Sequence, residues 1–154
     1  MCRQPDWNQL LLLVRRVPMF LVMGTIFFLS HQSGDTLSPY LPAFPGADKI
    51  CHLAIYGLLA MTVLWWLGPG KPVSPVRVAL KTVIFCLVYG MSDEFHQSFV
   101  PLRSVSGLDL LADLAGAMLV CATWLMNSKL RASMQSWYMI LTKRLEGACL
   151  NKPA

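Results

Sequence analysis

Four long apolar runs alternate with shorter polar stretches along the chain, and this alternation predicts the architecture. The runs cover about residues 10–30, 50–67, 76–92 and 108–126. About 20 predominantly apolar residues form a helix long enough to cross the hydrocarbon core of a bilayer. The first run needs a start near Leu10 to reach that length, so we expect Arg15 and Arg16 to extend toward the lipid headgroups. We therefore predict an all-α membrane protein with a four-transmembrane-helix bundle.

A helix of a different kind is predicted after the last apolar run. Apolar residues recur there at helical spacing, at Leu130, Met134, Trp137, Leu141 and Leu145, with lysines and arginines between them. A helix with one apolar and one basic face typically lies on the membrane surface. We accordingly divide the chain into a four-span membrane domain, residues 1–127, and a cytoplasmic amphipathic tail, residues 128–154, that forms a C-terminal interfacial helix.

The composition fits a membrane protein and argues against a nucleic-acid-binding domain. Hydrophobic residues make up 55% of the chain and charged residues 14%, which is too apolar for an ordinary soluble domain. The net charge of +5 comes from cations that flank the apolar runs, where membrane topology accounts for them. We expect membrane lipids as partners and no nucleic acid.

The charges are distributed unevenly between the two sides of the predicted bundle. All but two of the 13 lysines and arginines lie in the N-terminal segment, in residues 68–81 or in the C-terminal segment, the exceptions being Lys49 and Arg103. Loops rich in lysine and arginine stay in the cytoplasm, so both termini are predicted to be cytoplasmic. Most of the acids and all three histidines lie on the other side, which predicts a polar site that faces outward.

Two stripes of polar residues stand within the apolar runs. Asp48, His52 and Tyr56 are spaced four apart, so a helix that begins by Asp48 presents them on one face. Asp109 and Asp113 form a second stripe, and Asp113 lies about 6 Å further along its helix. An ionisable group at such depth normally faces the bundle interior and has a partner there. The candidate partners of Asp113 are His52, His96, Lys49 and Arg103.

Residues 92–107 are predicted to form a loop after the third span. The pair Asp93 and His96 could act in a site or serve only the structure of this loop, and His96 with Gln97 could simply cap it. Glu94 is interpreted as a solvated charge at a helix end, because acids in outer loops are ordinary. Arg103 either anchors to headgroups or binds a phosphate or carboxylate through its planar fork of N–H donors.

Four motif blocks follow one another in a fixed order. They are Ser30-His31-Gln32-Ser33, Asp48-Lys49-x-x-His52-x-x-x-Tyr56, Asp93-Glu94-x-His96-Gln97-x-x-Val100-Pro101-x-Arg103 and Asp109-x-x-x-Asp113-x-x-Gly116. In this order and spacing they resemble the VanZ-like family of small bacterial integral membrane proteins, over about residues 25–120. One departure is Leu102, where the family often has the glycine of a Pro-Gly-Arg turn. The departure predicts a less tight backbone at that point.

The resemblance implies a setting more than a reaction. It implies a multi-pass protein of the bacterial inner (cytoplasmic) membrane with a role in the cell envelope. The member that gives the family its name is associated with low-level resistance to the glycopeptide antibiotic teicoplanin. That phenotype specifies no chemical step, so the mechanism stays open.

Two classes of function remain open at this stage. In the first, an enzyme acts on a lipid-borne headgroup or a lipid-linked cell-wall precursor, and a histidine serves as general base. The catalytic candidates are His52, Asp93, His96, Asp109 and Asp113. The candidates for substrate binding are Lys49, Gln97, Arg103, Ser30, Gln32, Asp48 and Tyr56. In the second class, a non-enzymatic binding or accessory protein uses the same cluster for recognition or as a lock between helices.

No cofactor is predicted. A divalent metal is kept only as a secondary hypothesis, because its candidate ligands His52, His96, Asp93 and Asp109 come from several helices without a tight spacing. Proton- or ion-coupled transport is disfavoured, since beyond Asp113 and Tyr56 the inner halves of the helices offer no ionisable relay.

Overall fold

The computed structural model describes residues 7–37, 39, 44–70 and 73–150, and all regular structure within them is helical. The helices are α1 Trp7–Ser30, α2 Gly34–Leu37, α3 Ala47–Leu67, α4 Pro75–Gln97, α5 Gly107–Met126 and α6 Ser128–Leu150. Four of these, α1, α3, α4 and α5, are long and apolar enough to cross a membrane. The predicted all-α, four-span architecture is thereby confirmed. The stretch between the first two apolar runs contains the single turn of α2, and its residues 38 and 40–43 lie outside the described part.

Helix α3 lies at the centre of the bundle and packs against α1, α4 and α5. Its buried face carries Tyr56, Leu59 and Val63, which belong to a core cluster shared with the neighbouring helices. The approach to α5 is very close, since a Cβ atom at Gly116 would lie 2.1 Å from the carbonyl oxygen of Leu53. Small residues permit such close backbone contact between membrane helices, and here the contact brings the polar stripes of α3 and α5 together.

Arg15 was predicted to extend toward the lipid headgroups, but it points into the bundle. It is only 3% exposed, and its guanidinium donates hydrogen bonds of 2.7 Å to the carbonyl oxygens of Trp65 and Trp66. The last carbonyls of a helix have no partner within that helix. Arg15 of α1 therefore caps the C-terminal end of α3, which explains why it turns inward.

Helix α4 is longer than predicted and ends at Gln97, so the loop expected from residue 92 starts only after Gln97. Gly90, Asp93, Glu94 and Gln97 are all buried on this last part of the helix, and their spacing of three or four residues forms one inward face. The loop prediction failed because these residues are polar yet point into the bundle. The last turns of α4, and not a loop, therefore carry Asp93, Glu94, His96 and Gln97.

The turn after α4 is tight at Leu102, contrary to the prediction. Leu102 has a φ of 59°, a left-handed conformation that costs a non-glycine residue about 1–2 kcal/mol. Its carbonyl oxygen would lie 2.3 Å from a Cβ atom at Gly34, so the turn packs directly on α2. The backbone keeps the conformation that a glycine would favour, although a leucine occupies the position.

Helix α6 contacts both α5 and α1 at the end of the bundle opposite to the turn. The indole N–H of Trp124 points to the sulfur of Met134 at 3.2 Å, and the guanidinium of Arg15 lies 4.8 Å from the centre of the Tyr138 ring. The predicted C-terminal helix is present, whereas its place on the membrane surface and the domain limits stay predictions. Residues 151–154 of the predicted tail lie outside the described part.

Candidate functional site

The C-terminal ends of α1 and α4 and the N-terminal ends of α3 and α5 meet at one end of the bundle, which we call the polar end. The polar residues buried there are Ser30, Asp93, Glu94, Gln97, Asp109 and Asp113. Taking charged groups out of water is costly unless they are paired or coordinate a metal. The partners of these residues therefore decide what the polar end can do.

His52 and Asp113 form the deepest pair of the polar end. Because α3 begins at Ala47, Asp48, His52 and Tyr56 lie on one helical stripe, as the spacing predicted. The Nδ1 atom of His52 lies 2.9 Å from Oδ1 of Asp113, whose side chain is only 1% exposed. A carboxylate accepts a hydrogen bond from Nδ1–H and leaves the lone pair of Nε2 free. The structure thus orients one imidazole nitrogen with a buried carboxylate.

Lys49 links the first turns of α3 and α5. Its Nζ atom lies 2.7 Å from Oδ1 of Asp109 and 2.8 Å from Oδ2 of Asp48. The ammonium group is therefore shared by two carboxylates, one of which belongs to another helix. This position fixes the distance between α3 and α5 and makes Lys49 a weaker candidate for holding a substrate anion.

Glu94 is buried, which corrects its interpretation as a solvated charge. Its side chain is 6% exposed, and Oε2 accepts a hydrogen bond of 2.9 Å from the backbone N–H of Ser106, just before α5. The other oxygen, Oε1, is buried without a partner. Glu94, His52 and Asp109 each have one oxygen or nitrogen atom that lies within 4.8 Å of such an atom in the other two residues. Burial follows from the continuation of α4 past residue 92.

Asp93 belongs to a second group, between α4 and α1. The amide nitrogen of Gln97 donates to Oδ2 of Asp93 at 3.1 Å and to Oγ of Ser30 at 3.3 Å. The structure therefore brings together three predicted site residues, Ser30, Asp93 and Gln97. Their mutual bonds also tie the ends of the two helices to each other.

His96 is not brought to the carboxylates. Its Nε2 atom lies 3.3 Å from Nδ1 of His31, and its ring centre is 4.6 Å from that of Phe27. The described structure shows no contact through which Asp93 would orient His96 as a base. Of the two histidines considered for that role, His52 alone has a carboxylate at hydrogen-bond distance.

Arg103 contacts the end of α1 instead of a carboxylate. Its Nε atom donates to the carbonyl oxygen of Gln32 at 3.2 Å, and Nη2 donates to that of Leu29 at 3.0 Å. The Gln32 side chain donates in turn to the carbonyl of Phe28. The bond to Leu29 satisfies one of the last carbonyls of α1. Arg103, one of the four candidate partners of Asp113, therefore does not pair with it in the described structure.

A cavity of about 250 Å³ opens among α1, α3 and α4 beside these groups. Apolar side chains from α1 and α3 form much of its wall, including Ile26, Leu29 and Ile55. Polar groups line it as well, namely Ser30, Asp48, His52, Tyr56, Asp93, Gln97 and Arg103. The hydroxyl of Tyr56 is buried without a hydrogen-bond partner. One cavity is therefore lined both by apolar side chains and by carboxylates, an imidazole and a guanidinium.

Comparison with known proteins assigns the chain to a family. The VanZ/LLP1 family matches residues 16–128. The chain belongs to this family. The VanZ-like resemblance is thereby confirmed, and the protein is a multi-pass membrane protein. A protein of the fission yeast Schizosaccharomyces pombe, described as uncharacterized, is 34% identical over 83 residues, which is 53% of this chain and 48% of that protein. This chain thus spans about half the length of that relative. No solved structure matches the chain.

The VanZ/LLP1 match contains the whole polar end and stops where α6 begins. Among the residues of that end, sequence reasoning left Glu94 and the N–H of Ser106 out of the site. Their signal was the inward face of Gly90, Asp93, Glu94 and Gln97, which becomes visible once the helical spacing of α4 is continued beyond residue 92.

Proposed function

We propose that this VanZ/LLP1 protein binds the polar headgroup of a membrane lipid at the polar end and acts on it chemically, with His52 as the proton acceptor. The cavity carries this proposal, because its apolar wall and its polar groups are adjacent. That pairing suits an amphiphile better than a fully polar solute. A cavity of about 250 Å³ is slightly smaller than the usual small-molecule pocket of about 300–1,000 Å³, so it would hold a headgroup and the start of an acyl chain but not a whole lipid.

His52 has the geometry that a general base requires. Asp113 at 2.9 Å from Nδ1 fixes the ring orientation and the tautomer, and Nε2 is the nitrogen that takes up a proton. The buried carboxylate also stabilises the imidazolium ion that forms, as in other histidine–carboxylate pairs. Well-placed general bases contribute typically about 10²–10⁴-fold to a rate.

Arg103 supplies a cation to the lining of the same cavity. A guanidinium carries five N–H donors, and the bonds to the carbonyls of Leu29 and Gln32 use only Nε and one donor of Nη2. The remaining donors suit a phosphate or carboxylate of the headgroup, for which the planar fork is well shaped. Arg103 is the preferred anion-binding residue because Lys49 is already shared by Asp48 and Asp109.

The orientation that goes with this proposal has the polar end facing outward and both termini in the cytoplasm of a bacterial cell. The distribution of cations along the sequence supports it. A reporter fused near Asp35 should behave as external and one fused near Lys71 as internal. The yeast relative favours a headgroup found in membranes generally over a precursor specific to bacterial walls.

The test compares membrane lipids and lipid-linked precursors by mass spectrometry in cells with the native protein, without it, or with His52→Gln or Asp113→Asn. All proteins are compared at equal abundance in the membrane. Asp35→Asn serves as a matched control, because Asp35 is an exposed acid on α2. A lipid species that appears only with the native and control proteins supports the proposal. A lipid profile that is the same in all the cells contradicts it.

The second candidate is non-enzymatic binding or an accessory role in the envelope. The bonds of Arg103 to α1 and of Lys49 to α5 favour it, because part of the cluster holds helices together. In that case teicoplanin susceptibility would follow the native residues while no lipid species changes. The same set of strains decides between the two candidates.

A further inference from the structure

Three residues of the polar end converge as metal ligands do. One donor atom from each of His52, Glu94 and Asp109 lies within 4.8 Å of the other two. Two ligand atoms bound to one ion at about 2.0–2.2 Å lie about 3.3–3.6 Å apart in a tetrahedral site, so side-chain shifts of about 1 Å would close the set. The sequence hid this convergence, since the three ligands come from α3, α4 and α5.

Each of the three side chains is already held by a second contact. Asp113 holds Nδ1 of His52, the Ser106 N–H holds Oε2 of Glu94, and Lys49 holds Oδ1 of Asp109. These contacts leave Nε2, Oε1 and Oδ2 for a ligand. Metal-binding histidines almost always donate their other N–H to a carboxylate or carbonyl, and such outer contacts fix the ligands in place.

The burial of Glu94 independently supports a cation site. Its side chain is more than nine-tenths buried, yet Oε1 has no hydrogen-bond partner. Lys49, the cation at the start of α3, is already shared by two other carboxylates. Buried carboxylates are normally paired or coordinate a metal, so a bound cation would resolve both the charge and the unpartnered oxygen.

We propose that His52, Glu94 and Asp109 bind one divalent first-row transition-metal ion, with Asp113, Ser106 and Lys49 orienting them. One imidazole and two carboxylates suit Zn²⁺, Mn²⁺ or Fe²⁺ better than Mg²⁺ or Ca²⁺, which prefer sites made of oxygen ligands alone. Three protein ligands leave at least one coordination position for water or a headgroup oxygen.

The inference shares His52 with the proposed function but does not depend on a lipid ligand. An ion on Nε2 leaves this imidazole without a free nitrogen, so a water molecule on the ion would replace His52 as the group that loses or accepts a proton. Such a water has a strongly lowered pKa when it is bound to a divalent metal. Ion binding and lipid chemistry are measured separately, so either can fail alone.

The first experiment measures ion binding by the purified full chain in detergent or nanodiscs. Chelator-treated protein is titrated with Co²⁺, whose visible absorption bands report nitrogen and oxygen coordination, and metal content after dialysis against Zn²⁺ or Mn²⁺ is measured by mass spectrometry. We expect about one equivalent of ion per chain. A native protein that shows no saturable Co²⁺ spectrum and retains no stoichiometric ion overturns the proposal.

Conservative variants locate the ion. Glu94→Gln and Asp109→Asn should each weaken Co²⁺ binding at least tenfold, and Asp113→Asn should weaken it about 10–100-fold through the orientation of His52. Asp35→Asn is the matched control, an exposed acid outside the three ligands, and should bind like the native chain. Binding that is unchanged in Glu94→Gln and Asp109→Asn, or equally weakened in Asp35→Asn, overturns the assignment.

Two results separate this inference from the proposed function. A chain that changes a lipid species in cells but takes up no ion refutes the metal site and leaves the lipid chemistry standing. A chain that binds one ion through these ligands but changes no lipid refutes the lipid chemistry and leaves the metal site standing. If a ligand variant fails to fold, the Co²⁺ spectrum of the native chain still distinguishes nitrogen and oxygen ligands from cysteine thiolates.

Discussion

The two ends of the bundle use charged residues in opposite ways. At the end formed by the C-termini of α3 and α5, Arg15 donates to the carbonyls of Trp65 and Trp66, and Arg131 donates to those of Trp124 and Leu125. These cations complete the hydrogen bonding of helix ends. At the polar end, Arg103 also donates to a carbonyl at the end of α1, but Lys49, His52 and Gln97 pair with side chains of other helices. The bonds of Arg15 and Arg131 stabilise helix ends, whereas the pairs of the polar end bring ionisable side chains of different helices together.

The unsatisfied groups of the two ends differ as well. Among the described side chains, the buried carboxylate oxygens without a partner belong to Glu94 and Asp113, at the polar end, and the Tyr56 hydroxyl in the cavity there is unpartnered too. At the other end the unpartnered atoms are the donors Arg16 Nε and Trp66 Nε1. Buried acceptors need a proton or a cation, and this need reduces stability until a ligand meets it. In terms of the proposed function, these unpartnered oxygens are the groups that a ligand would satisfy, and without one they lower the stability of the bundle.

The largest effect is expected where α3 and α5 touch, between the two ends. Gly116→Ala places a Cβ atom 2.1 Å from the carbonyl oxygen of Leu53, so the helices must separate, and His52 moves away from Asp113. We expect a loss of about 3 kcal/mol or more in the free energy of unfolding, at the upper end of overpacking effects. Equilibrium unfolding in mixed SDS micelles measures it. Gly24→Ala is the control, because nothing lies within 4 Å of its added Cβ, and equal losses in both variants would contradict the account.

A smaller loss is expected from the end that holds Arg15. Arg15→Met removes the bonds to the last carbonyls of α3 and should lower the free energy of unfolding by about 2–3 kcal/mol. Metal and lipid binding at the polar end should change little in the protein that remains folded. Arg77→Met, at an exposed cation of α4, should be nearly neutral in the same unfolding experiment. A large loss of ligand binding in folded Arg15→Met would show that the two ends are not independent.

Glu94→Gln should have the opposite effect on stability. The variant removes one buried charge and keeps an acceptor for the Ser106 N–H. We therefore expect the chelator-treated protein to become more stable by about 1 kcal/mol, because an uncompensated buried charge is lost. The gain should vanish when Zn²⁺ is added, since only the native site then gains from the ion. Destabilisation in the metal-free state would mean that the charge of Glu94 is already well compensated.

The smallest effect is expected at the turn beside the polar end. Leu102→Gly replaces a residue at a φ of 59° with one that adopts this conformation without strain. Strain relief of about 1–2 kcal/mol is partly offset by the extra flexibility of the unfolded chain, by about 0.5–1 kcal/mol. We expect a net gain of roughly 0.5–1 kcal/mol and unchanged Co²⁺ affinity, measured by unfolding and titration. A less stable variant would indicate that contacts of the Leu102 side chain outweigh the strain.

The sequence predicted those features that depend on spacing within one helix. Apolar runs gave the four spans, and spacing of four residues placed His52 on α3 and Asp113 on α5, where they meet. The failures have a common physical cause. Whether a polar residue ends a helix or turns inward depends on partners from other helices, and these are not visible in a local pattern. Glu94 was therefore interpreted as a solvated charge. Arg103 was interpreted as a headgroup anchor or an anion-binding group, whereas it donates to the carbonyls of Leu29 and Gln32.

The separation of the paired residues along the chain has a consequence for synthesis. His52 and Asp113 lie 61 positions apart, and Lys49 and Asp109 lie 60 apart, so each pair joins the second membrane helix to the fourth. A nascent chain that stops before α5 leaves His52 without its carboxylate and Lys49 without its partner on α5. Insertion of α5 into the membrane is therefore the step that gives His52 and Lys49 of α3 their carboxylate partners. Before that step, both side chains lack the partners that they have in the folded protein.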